Sequence, residues 1–255
     1  MPEKTAVYAV EAFHLVFLRV LETKLDRSAY VVKGGVNLRA WFGSLRYSED
    51  MDLDVVGGKR HVLREKVEKL LAAPAFQALL RAQGLSVVRS SQPKQTDTTQ
   101  RWKFEIRMAN RAVPLHTRVE FSRRGSEEEY VLEPVRPDIV RPYGIPAPTA
   151  NHYTAAAAMR QKIAALTGRM EPQARDIWDL DYLFRTTAAD PRPLPPRLRA
   201  ALPMALDRVM EMPFEAFSSQ VVPYLAPDHR DVYGTGEAWD RMRELIADRL
   251  VELQS

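Results

Sequence analysis

Residues 50–56 read Asp-Met-Asp-Leu-Asp-Val-Val, and that alternation of carboxylate with apolar side chain suits one backbone conformation. In an extended strand, successive side chains point to opposite faces. Asp50, Asp52 and Asp54 therefore share one face while Met51, Leu53 and Val55 share the other. Neighbouring carboxylates stand about 6.5 Å apart at Cα, from a rise of ~3.3 Å per residue. Like charges at that spacing repel and raise one another's pKa, so either solvent covers the face or a cation belongs on it. Hard, oxygen-ligated Mg²⁺ (or Mn²⁺) is the natural guest, since it takes one or two carboxylates and fills its remaining positions with phosphate and water. Strand geometry alone does not choose between the pairs Asp50/Asp52 and Asp52/Asp54.

Two later stretches alternate in the same way. In 101–108, Trp102, Phe104, Ile106 and Met108 oppose Arg101, Lys103, Glu105 and Arg107; in 115–122, Leu115, Thr117, Val119 and Phe121 oppose His116, Arg118, Glu120 and Ser122. Both predict strands with one buried and one polar face, and Glu120 supplies a further carboxylate on such a face. Two metals about 3.5–4 Å apart clamp the attacking and leaving oxygens of a phosphoryl transfer, and Glu120 could complete such a cluster with either pair of aspartates.

Around these strands the pattern is helical. Val10, Phe13, Phe17, Val20 and Leu21 recur at helical spacing over 8–24, and a two-glycine break at 34–35 precedes a short helix ending near Gly43. Residues 60–83 predict a helix broken at Pro74. The five prolines of 133–149 predict an extended linker. Beyond it, 152–167 and 173–185 predict helices, a proline-rich break follows at 191–196, and helices run on to the C-terminus with Trp239, Met242 and Leu245 as core. The expected organisation is an α/β domain over 1–145 and a helical domain over 146–255.

The chain of 255 residues has no cysteine, which excludes disulfides and thiolate metal sites. The five histidines lack zinc-type spacing, and no P-loop or nucleophile elbow is present. The absence of a signal-type leader and of a long apolar run predicts a cytoplasmic protein without a membrane partner. Net charge is +4, and its distribution is uneven. Residues 101–125 hold seven Lys/Arg against two Glu, an excess that accounts for the whole. A basic rim beside a carboxylate face suits a nucleic-acid backbone.

The stretch KGGVNLRAWFGSLRYSEDMDLDV, 33–55, resembles the first motif of the AbiEii/AbiGii-type nucleotidyltransferase toxins: the Lys-Gly-Gly opening, the Gly-Ser turn and the Arg-x-Ser-x-Asp-x-Asp ending. Residues 156–184, AAAMRQKIAALTGRMEPQARDIWDLDYLF, resemble the family's later motif, a Lys-bearing helix followed by Arg-Asp-x-x-Asp-Leu. The resemblance implies an α+β fold, with a polymerase-β-like nucleotidyltransferase domain built on a small mixed sheet and a helical C-terminal domain. It picks Asp50 and Asp52 as metal ligands and leaves Asp54 spare. Glu120 completes the metal set, where many relatives carry Asp. Gly43 and Ser44 would hold the triphosphate of an NTP, Lys162 would neutralise it, and Asp176 would orient it or a neighbouring base.

The resemblance further implies a toxin that transfers NMP to an RNA acceptor, the 3′ end of tRNA in known relatives, and a cognate antitoxin. Residue type and spacing leave two other classes open: a nucleotidyltransferase acting on a small molecule or protein, and a non-catalytic binding module. Ser48, two residues before Asp50, is a candidate regulatory position. A phosphate there would add about −1.5 to −2 charge and compete with the triphosphate for metal and space. Otherwise its hydroxyl caps the turn before the strand.

Overall fold

Strand β2 (Met51–Val55) lies in the middle of a seven-stranded mixed sheet, with Met51 and Leu53 fully buried. The computed structural model describes residues 5–109, 111–125 and 127–254. The elements of the first half are α1 (Ala6–Lys24), β1 (Tyr30–Lys33), α2 (Gly34–Phe42), β2, α3 (Arg60–Leu71), α4 (Pro74–Ala82), β3 (Leu85–Gln95), β4 (Thr99–Met108), β5 (Leu115–Ser122), β6 (Tyr130–Pro134), the single turn α5 (Pro137–Val140) and β7 (Thr149–Tyr153). Sheet order is β3-β4-β5-β2-β1-β7-β6. β2 pairs antiparallel with β1 and parallel with β5, and β7 runs parallel to β1.

The alternation in β4 and β5 is realised. Trp102, Phe104, Ile106 and Met108 are buried, and so are Leu115, Val119 and Phe121. Helix α1 covers that apolar face, with Phe13 meeting Phe104 at 5.0 Å and Phe76 of α4 at 6.1 Å between ring centroids. Aromatic pairs at such separations add to burial by about 0.5–1.5 kcal/mol each.

Three parts of the first half depart from expectation. Residues 133–149 are not an extended linker. Pro134 ends β6 and Pro137 starts α5, where a missing N–H costs nothing, and Val135, Ile139, Val140, Tyr143 and Ile145 along the segment are buried. Residues 152–153 close strand β7 ahead of the alanine-rich helix, because β7 finds partners in β1 and β6. β3 was legible as no element: it is a polar edge strand containing Pro93, and its pairing with β4 shifts register twice, which erases the period-two signal.

The chain forms two compact units, Met1–Gly43 with Tyr47–Tyr153, and Ser44–Arg46 with Thr154–Ser255. The second is helical: α6 (Ala155–Gly168), α7 (Ala174–Thr186), α8 (Pro196–Ala200), α9 (Leu202–Glu211), α10 (Phe214–Gln220), α11 (Pro227–Tyr233) and α12 (Gly236–Glu252). Trp178, Phe217 and Trp239 form its aromatic centre, the last two stacked at 4.5 Å. Trp239 and Met242 are buried as expected, whereas Ile246 rather than Leu245 completes the stripe. Among the described residues, no helix is long and apolar enough to cross a membrane.

Candidate active site

The sheet's pairing sorts the charged side chains into rows. One row runs Lys94, Arg101, Glu120, Asp52 and Lys33 from β3 through β4, β5 and β2 to β1. The next carries Ser91, Lys103 and Arg118 from β3 through β4 to β5, with Asp50 beside Arg118. Asp52 and Glu120 are thus direct partners on neighbouring parallel strands.

Asp50, Glu120 and Asp54 each hold a different cation. The Arg118 guanidinium lies 3.0 Å from Asp50 Oδ2, and the Arg118 backbone N–H donates to Oδ1 at 3.2 Å. Arg101 holds Glu120 at 2.6 Å. Asp54 is buried, accepting from Lys33 Nζ at 2.6 Å and from the Tyr153 hydroxyl at 2.8 Å, so its charge is matched within the fold. Burial pushes Asp50 up to about 6 against the pull of Arg118, and Glu49 and Asp52 add to the rise. Gly34, at φ 67°, starts α2 close to Asp52, where a Cβ would stand 3.5 Å from Oδ2.

A divalent cation fits this donor set. Asp50, Asp52 and Glu120 offer hard oxygens on one sheet face, and burial raises the Asp50 pKa against the pull of Arg118, which a nearby cation would offset. They are not assembled as a cage: among the described residues no group of three or more His, Asp or Glu converges as metal ligands do. Arg118 and Arg101 stand where such a cation's charge would act.

A second set of residues surrounds Asp50 that the alternation did not reveal. His14 of α1 is buried, and its Nε2 lies 2.8 Å from the Thr117 hydroxyl, which donates to the Glu49 carbonyl at 2.7 Å. Burial lowers the His14 pKa to about 3, so it is neutral and positions Thr117 by hydrogen bonding. The only sequence sign of this was a histidine interrupting the apolar stripe of α1. Ser48 donates to the Asp50 carbonyl at 2.7 Å, closing the turn before β2.

The second unit holds the other expected residues. Lys162 is buried on α6, its ammonium 2.9 Å from Asp176 and 2.6 Å from Asp179 of α7. Arg46 binds Asp179 through two nitrogens, at 3.0–3.2 Å, and Arg169 approaches Asp176 at 3.5 Å. Burial by itself would lower the Lys162 pKa, but Asp176 and Asp179 outweigh it and raise it. Asp179, which burial would raise, is held low by Arg46 and Lys162. Gly43 ends α2 in the left-handed region at φ 74°. Ser44 is buried, and its hydroxyl accepts from the Arg46 N–H at 3.3 Å. The structure therefore brings Asp50, Asp52 and Glu120 together in the first unit, and Lys162 and Asp176 in the second.

Residues 16–242 match the family model described as nucleotidyl transferase AbiEii toxin of a type IV toxin–antitoxin system. A search of curated proteins finds no match. Among solved structures, JHP933 from Helicobacter pylori aligns with a TM-score of 0.60 at 16% identity, covering 98% of this chain and 95% of that one. MenT4, a nucleotidyltransferase toxin from Mycobacterium tuberculosis, aligns with a TM-score of 0.60 at 16% identity, covering 98% and 94%. At these identities the likeness is one of fold.

Proposed function

This chain belongs to the AbiEii family of nucleotidyl transferase toxins, and from that premise we propose that it transfers NMP from an NTP to the 3′ end of an RNA, with tRNA as the acceptor. The family carries with it an NTP donor and a cognate antitoxin. The acceptor and the metal requirement are our own assignment.

Asp50 and Asp52, with Glu120 opposite Asp52 on β5, are the residues that would hold Mg²⁺ or Mn²⁺. Bound there, the ions would supply charge neutralisation at the phosphoryl group, which is most of what phosphoryl transfer asks of a protein. Glu120, released by Arg101, takes the proton of the attacking 3′-hydroxyl. The new bond joins that oxygen to the α-phosphorus, the α–β bridge breaks, and pyrophosphate leaves. The family motifs assign Gly43, Ser44 and Lys162 to the NTP triphosphate and Asp176 to orienting it or a neighbouring base. Ser44 and Lys162 are buried, so they meet a donor only if they become exposed.

The observation that carries this assignment is the carboxylate face itself: Asp52 and Glu120 are direct cross-strand partners with Asp50 beside them, and both Asp50 and Glu120 hold a cation. The test is incubation with each α-labelled NTP, Mg²⁺ and total RNA, followed by a gel. Label in small RNA supports the assignment. Label in a protein or small molecule without RNA, or no transfer by folded wild type, overturns it.

A further inference from the structure

Beside Asp50 a cavity of about 500 Å³ opens over β3, β4 and β5. Its polar wall includes Ser91, Lys103 and Arg118 from one cross-strand row and Arg89 and His116 from the next. The volume lies in the range of about 300–1,000 Å³ typical of small-ligand sites, which suits a single nucleotide and excludes a duplex.

The charges in this wall are arranged at a cost. Lys103 and Arg118 are direct partners in the antiparallel β4–β5 pair, and like charges directly opposite one another destabilise a sheet. Arg89 has Glu105 as a partner at 3.8 Å, and Arg118 has Asp50 at 3.0 Å. Among the described residues, Lys103 has no ion pair. Its ammonium is exposed and faces a guanidinium. Arg118 reaches Asp50 through Nε, which leaves its outer Nη edge to a second ligand. An anion between the two side chains would turn this repulsion into attraction, and phosphate oxygens suit both donors.

We propose that the cavity is the acceptor-end site: the last phosphodiester of a single-stranded RNA end lies between Lys103 and Arg118, which directs the 3′-hydroxyl toward Asp50. This rests on the transfer to RNA proposed above. It adds a coupling between sites. When a divalent cation takes over compensation of Asp50, Arg118 is released to the phosphate, so Mg²⁺ strengthens RNA binding at this cavity even without NTP. The same wall admits a phosphate of the donor triphosphate, and separate measurements on RNA and NTP distinguish the two sources.

The experiment measures binding of a fluorescein-labelled single-stranded oligoribonucleotide to the whole chain by anisotropy, without NTP, across a salt series with and without Mg²⁺. Steady-state KM values for RNA and for NTP are measured on the same proteins. Lys103→Ala is expected to weaken RNA binding roughly tenfold, the usual scale for a lost charge-assisted contact. It should also lower the slope of log K against log salt by about 0.7, one single-strand phosphate. KM for RNA rises in parallel, KM for NTP stays put, and Lys103→Arg restores binding. Lys103 is exposed, so folding is not at stake, and a melting curve verifies this. Wild-type transfer to RNA together with Lys103-independent binding overturns the cavity assignment and leaves the activity standing. A change confined to KM for NTP reassigns the cavity to the donor and overturns the proposal. Failure of the wild type to label RNA at all overturns the acceptor itself, and the cavity assignment with it.

Discussion

Asp50 gives a prediction that can be worked to a number. Burial raises its pKa to about 6, against Arg118 and with the help of Glu49 and Asp52. The folded value exceeds the unfolded one, so between about pH 4 and 6 the folded chain holds a proton that the unfolded chain has released. Stability therefore falls as pH rises through that window, and above it the penalty is complete. Two pH units correspond to about 3 kcal/mol. The side chain is 19% exposed, and screening on that edge reduces the expected effect to about 1–2 kcal/mol. Asp50→Asn cannot carry the charge. Urea unfolding in EDTA should therefore show the wild type losing about 1–2 kcal/mol relative to the variant between pH 4.5 and 7.5, with other titrating groups cancelling. Adding Mg²⁺ at pH 7.5 should stabilise the wild type by mass action and leave the variant unmoved. Parallel stability profiles for the two proteins over that pH range would refute the claim that Asp50 is held charged against its surroundings.

Other outcomes follow from the same geometry. Asp52→Asn should abolish nucleotide transfer with an unchanged near-UV circular dichroism spectrum, and full transfer by this variant would remove Asp52 from the metal set. Lys162→Met should cost about 3–5 kcal/mol, since it leaves buried Asp176 with only Arg169 at 3.5 Å and takes one of two cations from Asp179, and lower the Tm by roughly 10 °C or more; adding Asp176→Asn should recover part of the loss, and a melt within 2 °C of wild type would show that the network contributes little. Asp179 is held low and Lys162 high, so this network contributes through the neutral range. It fails only as pH drops below the ordinary carboxylate range, visible in urea unfolding as an acid-side loss of stability that Asp179→Asn, already destabilised at neutral pH, shows to a smaller extent. Thr117→Val should cost about 1–3 kcal/mol by leaving the Glu49 carbonyl without its donor and His14 without its partner, and raise the Mg²⁺ needed for half-maximal transfer, whereas an unchanged Mg²⁺ dependence would make Thr117 purely structural.

The residues alone determined whatever depends on local periodicity. Alternation in β2, β4 and β5, helical spacing in α1, and the Lys-Gly-Gly and Arg-Asp-x-x-Asp-Leu motifs are properties of adjacent residues, and they made the α+β fold and the family legible. The polar edge strand β3 was invisible because its pairing slips between Val87 and Arg89 and again across Pro93, and the proline-rich segment looked like a linker because burial of Val135 or Ile139 depends on what lies opposite. Side-chain partners lay wholly beyond the sequence. Three aspartates with the same spacing met three fates: Asp54 was matched by Lys33 and Tyr153, Asp50 by Arg118, and Asp52 was set against Glu120. Likewise only folding could join His14 to Thr117 across 103 positions of chain, or Arg46 to Asp179 across 133. Strand pairing and burial set the local dielectric and the nearest counter-charge, and those are sums over neighbours that the chain acquires only when it closes on itself.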